Sequence, residues 1–201
     1  MITHIYLVRH AQSDPSVKDN KTRPLTQKGL TDAEALSEYF GSIPVDLIFS
    51  SPYLRAVQTV TPVAKSKNLP VQTDERVREW MGGRPFPSEM FWDRMKEMFS
   101  DEASTNGGAE SIKALKRRTG EFLSHLLCRH PGKTIIVGTH ALALTCACKV
   151  YNDDLGLSFL RSLIPVAPFS AHLIFDGYEL KSMEFIDPIQ HLSDLHAPRV
   201  I

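Results

Sequence analysis

The stretch "HIYLVRHAQSD" (residues 4–14) runs four apolar residues, 5–8, straight into Arg9 and His10. A short unbroken apolar run of this kind reads as a strand covered on both faces. Ending it on two side chains that resist burial raises the question of what they are for. The other strand ends supply the answer.

Further apolar runs fall at 45–49, 69–72, 134–137 and 173–175, and residues 180–186 complete a hairpin over Asp176-Gly177. Amphipathic stretches at about 29–41, 53–67, 110–130 and 141–151 lie between them. Strand runs alternating with helical patterns predict an α/β layer fold with a mostly parallel sheet. Residues 80–109 break the rhythm with "WMGGRPFP", "SEMFWDRMKEMF" and "DEASTNGGA". That segment reads as a lid insertion, because long irregular segments in compact folds commonly cover binding sites.

The 201 residues suffice for a single domain, 1–201, with a full core. Lys plus Arg and Asp plus Glu both number 23, so no global field draws the chain to nucleic acid or to a membrane surface. Anion recognition must come from a local cluster of cations. No apolar run approaches transmembrane length, and no signal-peptide pattern precedes the first strand. The three cysteines, Cys128, Cys146 and Cys148, are an odd set in helical text. They suit a reducing compartment, and the expected location is cytoplasmic.

Ligands of open α/β sheets sit outside the carboxyl ends of the strands. Arg9 and His10 follow the first run, and Arg55 follows the second in "SSPYLR". Glu79 follows "PVQTDERVR", and His140 follows "IIVGT". Ser51 and Pro52 read as N-cap and first residue of a helix, which places Arg55 in its first turn. A helix dipole disfavours a cation there, so an anion nearby is implied; a phosphate suits both the N–H groups and the guanidinium fork.

With these residues assembled, the chain resembles the histidine phosphatase superfamily, the phosphoglycerate mutase-like enzymes. "LVRHAQS" resembles the family's opening Arg-His motif. "RPLTQKG" (23–29), "SSPYLRAVQT" (50–59), "VREWMGG" (77–83), "GGAESIKALKRR" (107–118) and "VGTHALAL" (137–144) follow in the family's order. The resemblance implies a three-layer α/β/α sandwich with a helical lid. It also implies catalytic roles for His10, Glu79 and His140, with phosphate held by Arg9, Arg55 and a protonated His140. His10 would be the nucleophile and Glu79 the general acid. Ala11 and Ala141 stand where the family commonly has glycine, Ser16 where its mutase branch tends to have asparagine, and "AES" (109–111) replaces "GES".

The expected activity is hydrolysis of a small phosphorylated metabolite through a phosphohistidine, with no metal and no cofactor. A phosphoglycerate-type phosphomutase and a non-catalytic phospho-ligand-binding protein of the same fold are the alternatives, and a homodimer is left open. In the lid, Phe91, Trp92, Met95, Met98 and Phe99 recur at helical spacing and read as packing onto the body, with Arg84 a candidate substrate contact and Arg94 beside the stripe. Arg118 reads as a surface cation. "GKT" (132–134) lacks the first glycine of a P-loop, and no cysteine has arginine six places on. The remaining histidines, His4, His125, His130, His172, His191 and His196, are too scattered for a zinc site and read mostly as surface groups.

Overall fold

The structure, a computed structural model, describes residues 1–83 and 87–196. Its strands are β1 (Ile2–Arg9), β2 (Leu47–Ser50), β3 (Val71–Thr73), β4 (Thr134–Thr139), β5 (Phe169–Asp176) and β6 (Glu179–Ile186). Among the described residues they form one sheet in the order β3-β2-β4-β1-β5-β6. β1, β2, β3 and β4 run parallel, while β5 is antiparallel to both β1 and β6. The helices are α1 (Gln27–Tyr39), α2 (Leu54–Lys67), α3 (Phe91–Ser100), α4 (Ile112–Arg129), α5 (Ala141–Lys149), α6 (Leu157–Leu163) and α7 (Pro188–His196). None of the described helices is long and apolar enough to cross a membrane.

The unbroken apolar text of β1 follows from its central place. Ile5 and Leu7 pack with Phe122, Leu126 and Leu144 beneath α4 and α5, whereas Tyr6 and Val8 pack with Leu36, Phe40, Val60 and Val63 beneath α1 and α2. Helices on both faces make the three layers, and alternate residues of one strand serve two cores. The α/β/α architecture with a mostly parallel sheet is the one its sequence pattern predicts.

Two helices escape the periodicity reading. α6 has only seven residues, and α7 nine. α7 nevertheless carries a start signal, since the Asp187 carboxylate accepts from the N–H groups of Ile189 and Gln190 ahead of a proline at its first position. The start of α2 also differs from expectation. Tyr53, not Ser51, is its N-cap, and Ser51 Oγ accepts the Tyr53 N–H at 3.2 Å instead. Arg55 still lies in the first turn.

Within 80–109, Met95 and Met98 are fully buried against Trp80, Ile112, Leu115 and Leu142, with Phe91, Trp92 and Phe99 packed at the margin. The apolar stripe of α3 therefore packs inward, and the Arg94 guanidinium lies over the Trp80 ring at 5.6 Å. Arg84 lies outside the described residues. His172 is buried, not superficial, with Nε2 3.0 Å from His4 Nδ1 and its ring stacked on Tyr6.

Two glycines set close approaches around the carboxyl ends of the strands. A Cβ on Gly138 of β4 would meet Ser50 Oγ at 2.9 Å, Val60 Cγ1 at 3.0 Å and the Ala56 carbonyl oxygen at 3.1 Å, so its absence lets α2 press against the sheet. A Cβ on Gly29 of α1 would lie 2.1 Å from the Gln12 carbonyl oxygen. That oxygen accepts from Thr26 N–H at 2.9 Å, and the Thr26 hydroxyl caps α1 by accepting from Gly29 N–H. The "LTQKG" segment is thus clamped on the loop that follows His10.

Candidate active site

His10 leaves the end of β1 with its backbone N–H bonded to the Thr139 carbonyl of β4 at 2.9 Å. Its Nδ1 is 2.7 Å from the Ala11 carbonyl oxygen, and its Nε2 is 3.0 Å from Arg55 Nε. A carbonyl oxygen only accepts and a guanidinium N–H only donates. Nδ1 therefore carries the proton and Nε2 the lone pair, both partners imposing the same tautomer. Burial, followed by Arg55 and then Arg9 and Arg23, pushes the His10 pKa down to about 3 against the opposing pull of the Ala11 carbonyl. The ring is a neutral base with its lone pair turned toward a cation.

Arg55 is 3% exposed; its Nη1 donates to the Asn20 carbonyl at 2.6 Å, and its guanidinium lies 5.2 Å from the centre of the Tyr53 ring. Arg9 is held at the other side by the turn after α6, where Nη1 donates to the carbonyls of Leu163, Ile164 and Val166. Burial lowers the pKa of both arginines, and the charge of Glu79 works against that. A cavity of about 290 Å³ opens over His10, walled by Arg9, Gln12, Ser13, Lys28 and the 164–167 turn. Lys28 reaches this wall while paired with Asp32 at 2.6 Å.

Glu79 and His140 meet at the start of α5. His140 is its N-cap residue, and Glu79 Oε1 accepts from the N–H groups of Trp80 at 2.9 Å and Ala143 at 3.3 Å. A helix N-terminus is a favourable place for a carboxylate. Burial outweighs it here and raises the Glu79 pKa, against the backbone N–H groups and Arg55. The carboxyl group is thereby biased toward holding a proton.

The His140 ring lies at right-angle-like tilt to His10, centroids 5.2 Å apart, with Nε2 2.8 Å from Ser51 Oγ. Its Nδ1 is buried and has no hydrogen-bond partner among the described residues. Burial, then His10, Arg55, Arg118 and Arg9, hold its pKa well below the ordinary imidazole value, so the ring is neutral. It offers a hydrogen bond, not a charge.

The structure thus brings Arg9, His10, Arg55, Glu79 and His140 to one side of the sheet. Sequence reading misplaced one residue and missed others. Arg118 is not a surface cation: its side chain is largely buried and bonds Glu110 and the backbone of the Glu79 segment. The carbonyl cradle for Arg9 belongs to α6, which no periodicity announces. Lys28 stood inside the quoted "LTQKG" segment, and its place two residues into α1 was the available signal. Among the described residues no three His, Cys, Asp or Glu side chains are grouped to hold a metal ion.

Comparison with known proteins gives the same region of the chain a lineage. Phosphoserine phosphatase 1 of Hydrogenobacter thermophilus is 27% identical over 166 residues, spanning 75% of this chain and 77% of that protein. A phosphoserine phosphatase variant of Entamoeba histolytica, solved with phosphoserine, superposes with a TM-score of 0.76 at 19% identity, covering 94% of this chain and 99% of that one. A phosphoglycerate mutase of Bacillus anthracis gives a TM-score of 0.76 at 17% identity over 96% of each chain. Residues 5–174 match the family description itself, and the chain belongs to the histidine phosphatase superfamily (branch 1).

Proposed function

We propose that this chain is a phosphomonoester hydrolase that works through a phosphohistidine at His10 on a small phosphorylated metabolite, with no metal ion in its cycle. The observation that carries the reading is the His10 ring, with Nδ1–H fixed on the Ala11 carbonyl and the Nε2 lone pair facing Arg55. A neutral imidazole held in one tautomer is a ready nucleophile.

In the first step His10 Nε2 attacks phosphorus as the bond to the leaving oxygen breaks, and protonated Glu79 gives its proton to that oxygen. In the second, the Glu79 carboxylate takes a proton from water, the water oxygen bonds to phosphorus, and the N–P bond returns its electron pair to Nε2. Arg9 and Arg55 balance the charge spread over the phosphoryl oxygens in both steps. His140 adds a hydrogen bond from its neutral ring. In this reading residues 1–201 act as one domain with segment 80–109 as its lid, and the free cysteines Cys128, Cys146 and Cys148 suit the reducing cytoplasm.

The test is phosphate release from an aryl phosphomonoester in the presence of a chelator, comparing wild type with His10→Ala, and recovery of acid-labile phosphate on the wild-type protein. Release that survives chelator and vanishes in the variant supports hydrolysis at His10. A phosphoenzyme that passes its phosphoryl group to an added alcohol but not to water makes the protein a mutase. Folded wild type that binds phosphate without turnover makes it a binding protein.

A further inference from the structure

We infer that Glu110 and Arg118 form a positioning pair that fixes the backbone at Glu79 and so aims its carboxyl group at the leaving oxygen. This rests on the hydrolase reading and goes beyond it, because neither residue lines the cavity over His10.

Glu79 lies in irregular chain. β3 ends at Thr73, a single 3-10 turn spans Glu75–Val77, and no strand or helix holds residues 78–83. Irregular backbone needs outside partners for its polar groups. Arg118 supplies them from the second turn of α4: Nη1 donates to the carbonyls of Arg76 at 2.7 Å and Arg78 at 2.8 Å, and Nη2 reaches the Glu79 carbonyl at 3.3 Å. Its remaining donors form a fork on Glu110, Nε to Oε1 at 2.6 Å and Nη2 to Oε2 at 2.9 Å.

Glu110 completes the tie from the other side. Its N–H donates to the Met81 carbonyl at 2.9 Å, and its carbonyl accepts the Trp80 indole N–H at 2.6 Å. Arg78 Nη1 bridges the two, donating to the Glu79 carbonyl at 2.9 Å and to Glu110 Oε2 at 3.2 Å. The chain is therefore gripped at Arg76, Arg78, Glu79, Trp80 and Met81 by one largely buried ion pair and its arginine neighbour. The carboxyl end of Glu79 is meanwhile fixed by the Trp80 and Ala143 N–H groups. A side chain held at both ends has one direction left to point.

A lysine at 118 keeps the charge but loses the planar fork that reaches Glu110 and three carbonyls together. The pair grips the backbone at Glu79, so in the step that phosphorylates His10 its loss should matter most where Glu79 must deliver a proton. An alkyl leaving group needs that proton, while 2,4-dinitrophenolate departs without it. The experiment measures kcat/KM, which reports the steps up to phosphorylation of His10 and not the later attack of water, for 2-glycerophosphate and 2,4-dinitrophenyl phosphate in wild type, Glu79→Gln, Arg118→Lys and Glu110→Gln, with a thermal melt of each. The expected pattern is a loss of about 10- to 100-fold on the alkyl ester for Arg118→Lys and Glu110→Gln, with the dinitrophenyl ester changed less than about threefold, as in Glu79→Gln. Glu110→Gln, equal in shape and uncharged, carries the test if Arg118→Lys does not fold. Equal losses on both esters mean general damage to the fold and overturn the inference, as does unchanged turnover of both. Wild type inactive on both esters overturns the hydrolase reading, and this inference with it.

Discussion

Arg55 Nε donates to His10 Nε2 at 3.0 Å, so the proposed nucleophile and its nearest cation hold each other in place. The contact keeps His10 neutral and aimed, and in the proposed cycle a phosphoryl group entering between them would take over the guanidinium as its own partner.

Arg55→Ala should therefore act twice. Turnover of phosphomonoesters falls by roughly 100- to 1,000-fold, the usual cost of one preorganised charge stabiliser. The His10 pKa rises, because Arg55 is the largest single charge holding it down. Steady-state kinetics checks the first and an NMR titration of the histidine rings the second; an unmoved His10 resonance would contradict the pairing.

Two neutral histidines in the site tie stability to pH. Both His10, at about 3, and His140 titrate lower folded than unfolded, where imidazole takes its proton near ~6.5. The unfolded chain thus binds more protons below that value. Their contribution is complete above it and drains away as pH falls toward the folded value. The melting temperature should drop between about pH 6.5 and pH 4, and His140→Asn should flatten the drop. A melting curve with the same slope in wild type and variant would refute this origin.

Glu79 is raised by burial, which keeps it an acid at a pH where an ordinary carboxyl group has lost its proton. Hydrolysis of an alkyl phosphomonoester should weaken as pH climbs through that raised value, since the leaving oxygen then goes unprotonated. Glu79→Gln should lack this alkaline limb and lose about 100-fold or more in kcat. A pH–rate profile of both proteins reads the difference directly.

Gly29 tests the clamp on the loop that follows His10. Alanine there places Cβ 2.1 Å from a backbone oxygen of Gln12, which no side-chain rotation relieves. Gly29→Ala should cost about 1–3 kcal/mol of stability as overpacking does, and should lower kcat/KM because the 11–13 loop shifts beside His10. Denaturant unfolding and kinetics on the same preparation check both; a variant as stable and active as wild type would remove the clamp from the account.

The sheet and Arg9, His10 and His140 could be read from the letters because they sit at the ends of apolar runs, where α/β sheets place ligands; Arg55 follows one helix turn later, and Glu79, six residues past β3, is marked by the family resemblance. What escaped the letters depends on tertiary partners. Arg118 has the spacing of an exposed helix position; it is largely buried because Glu110 and the 76–79 carbonyls come to it, a tertiary meeting that the amphipathic period of 110–130 does not announce. The seven residues of α6 span two turns, too few for a period to show.

The central place of β1 has a consequence for how the protein comes into being. On one edge His4 pairs with Thr134, and on the other Ile2 pairs with Asp176. A ribosome delivers the strand bearing His10 early and the two strands that flank it late. Throughout that interval an apolar strand waits with both hydrogen-bonding edges open, the state in which chains pair wrongly with one another. Pairings so distant along the chain also close slowly. Assembly of the candidate site is thus among the last events of folding, since a chain cut short before residue 134 carries β1 without the strand that brings His140 beside His10.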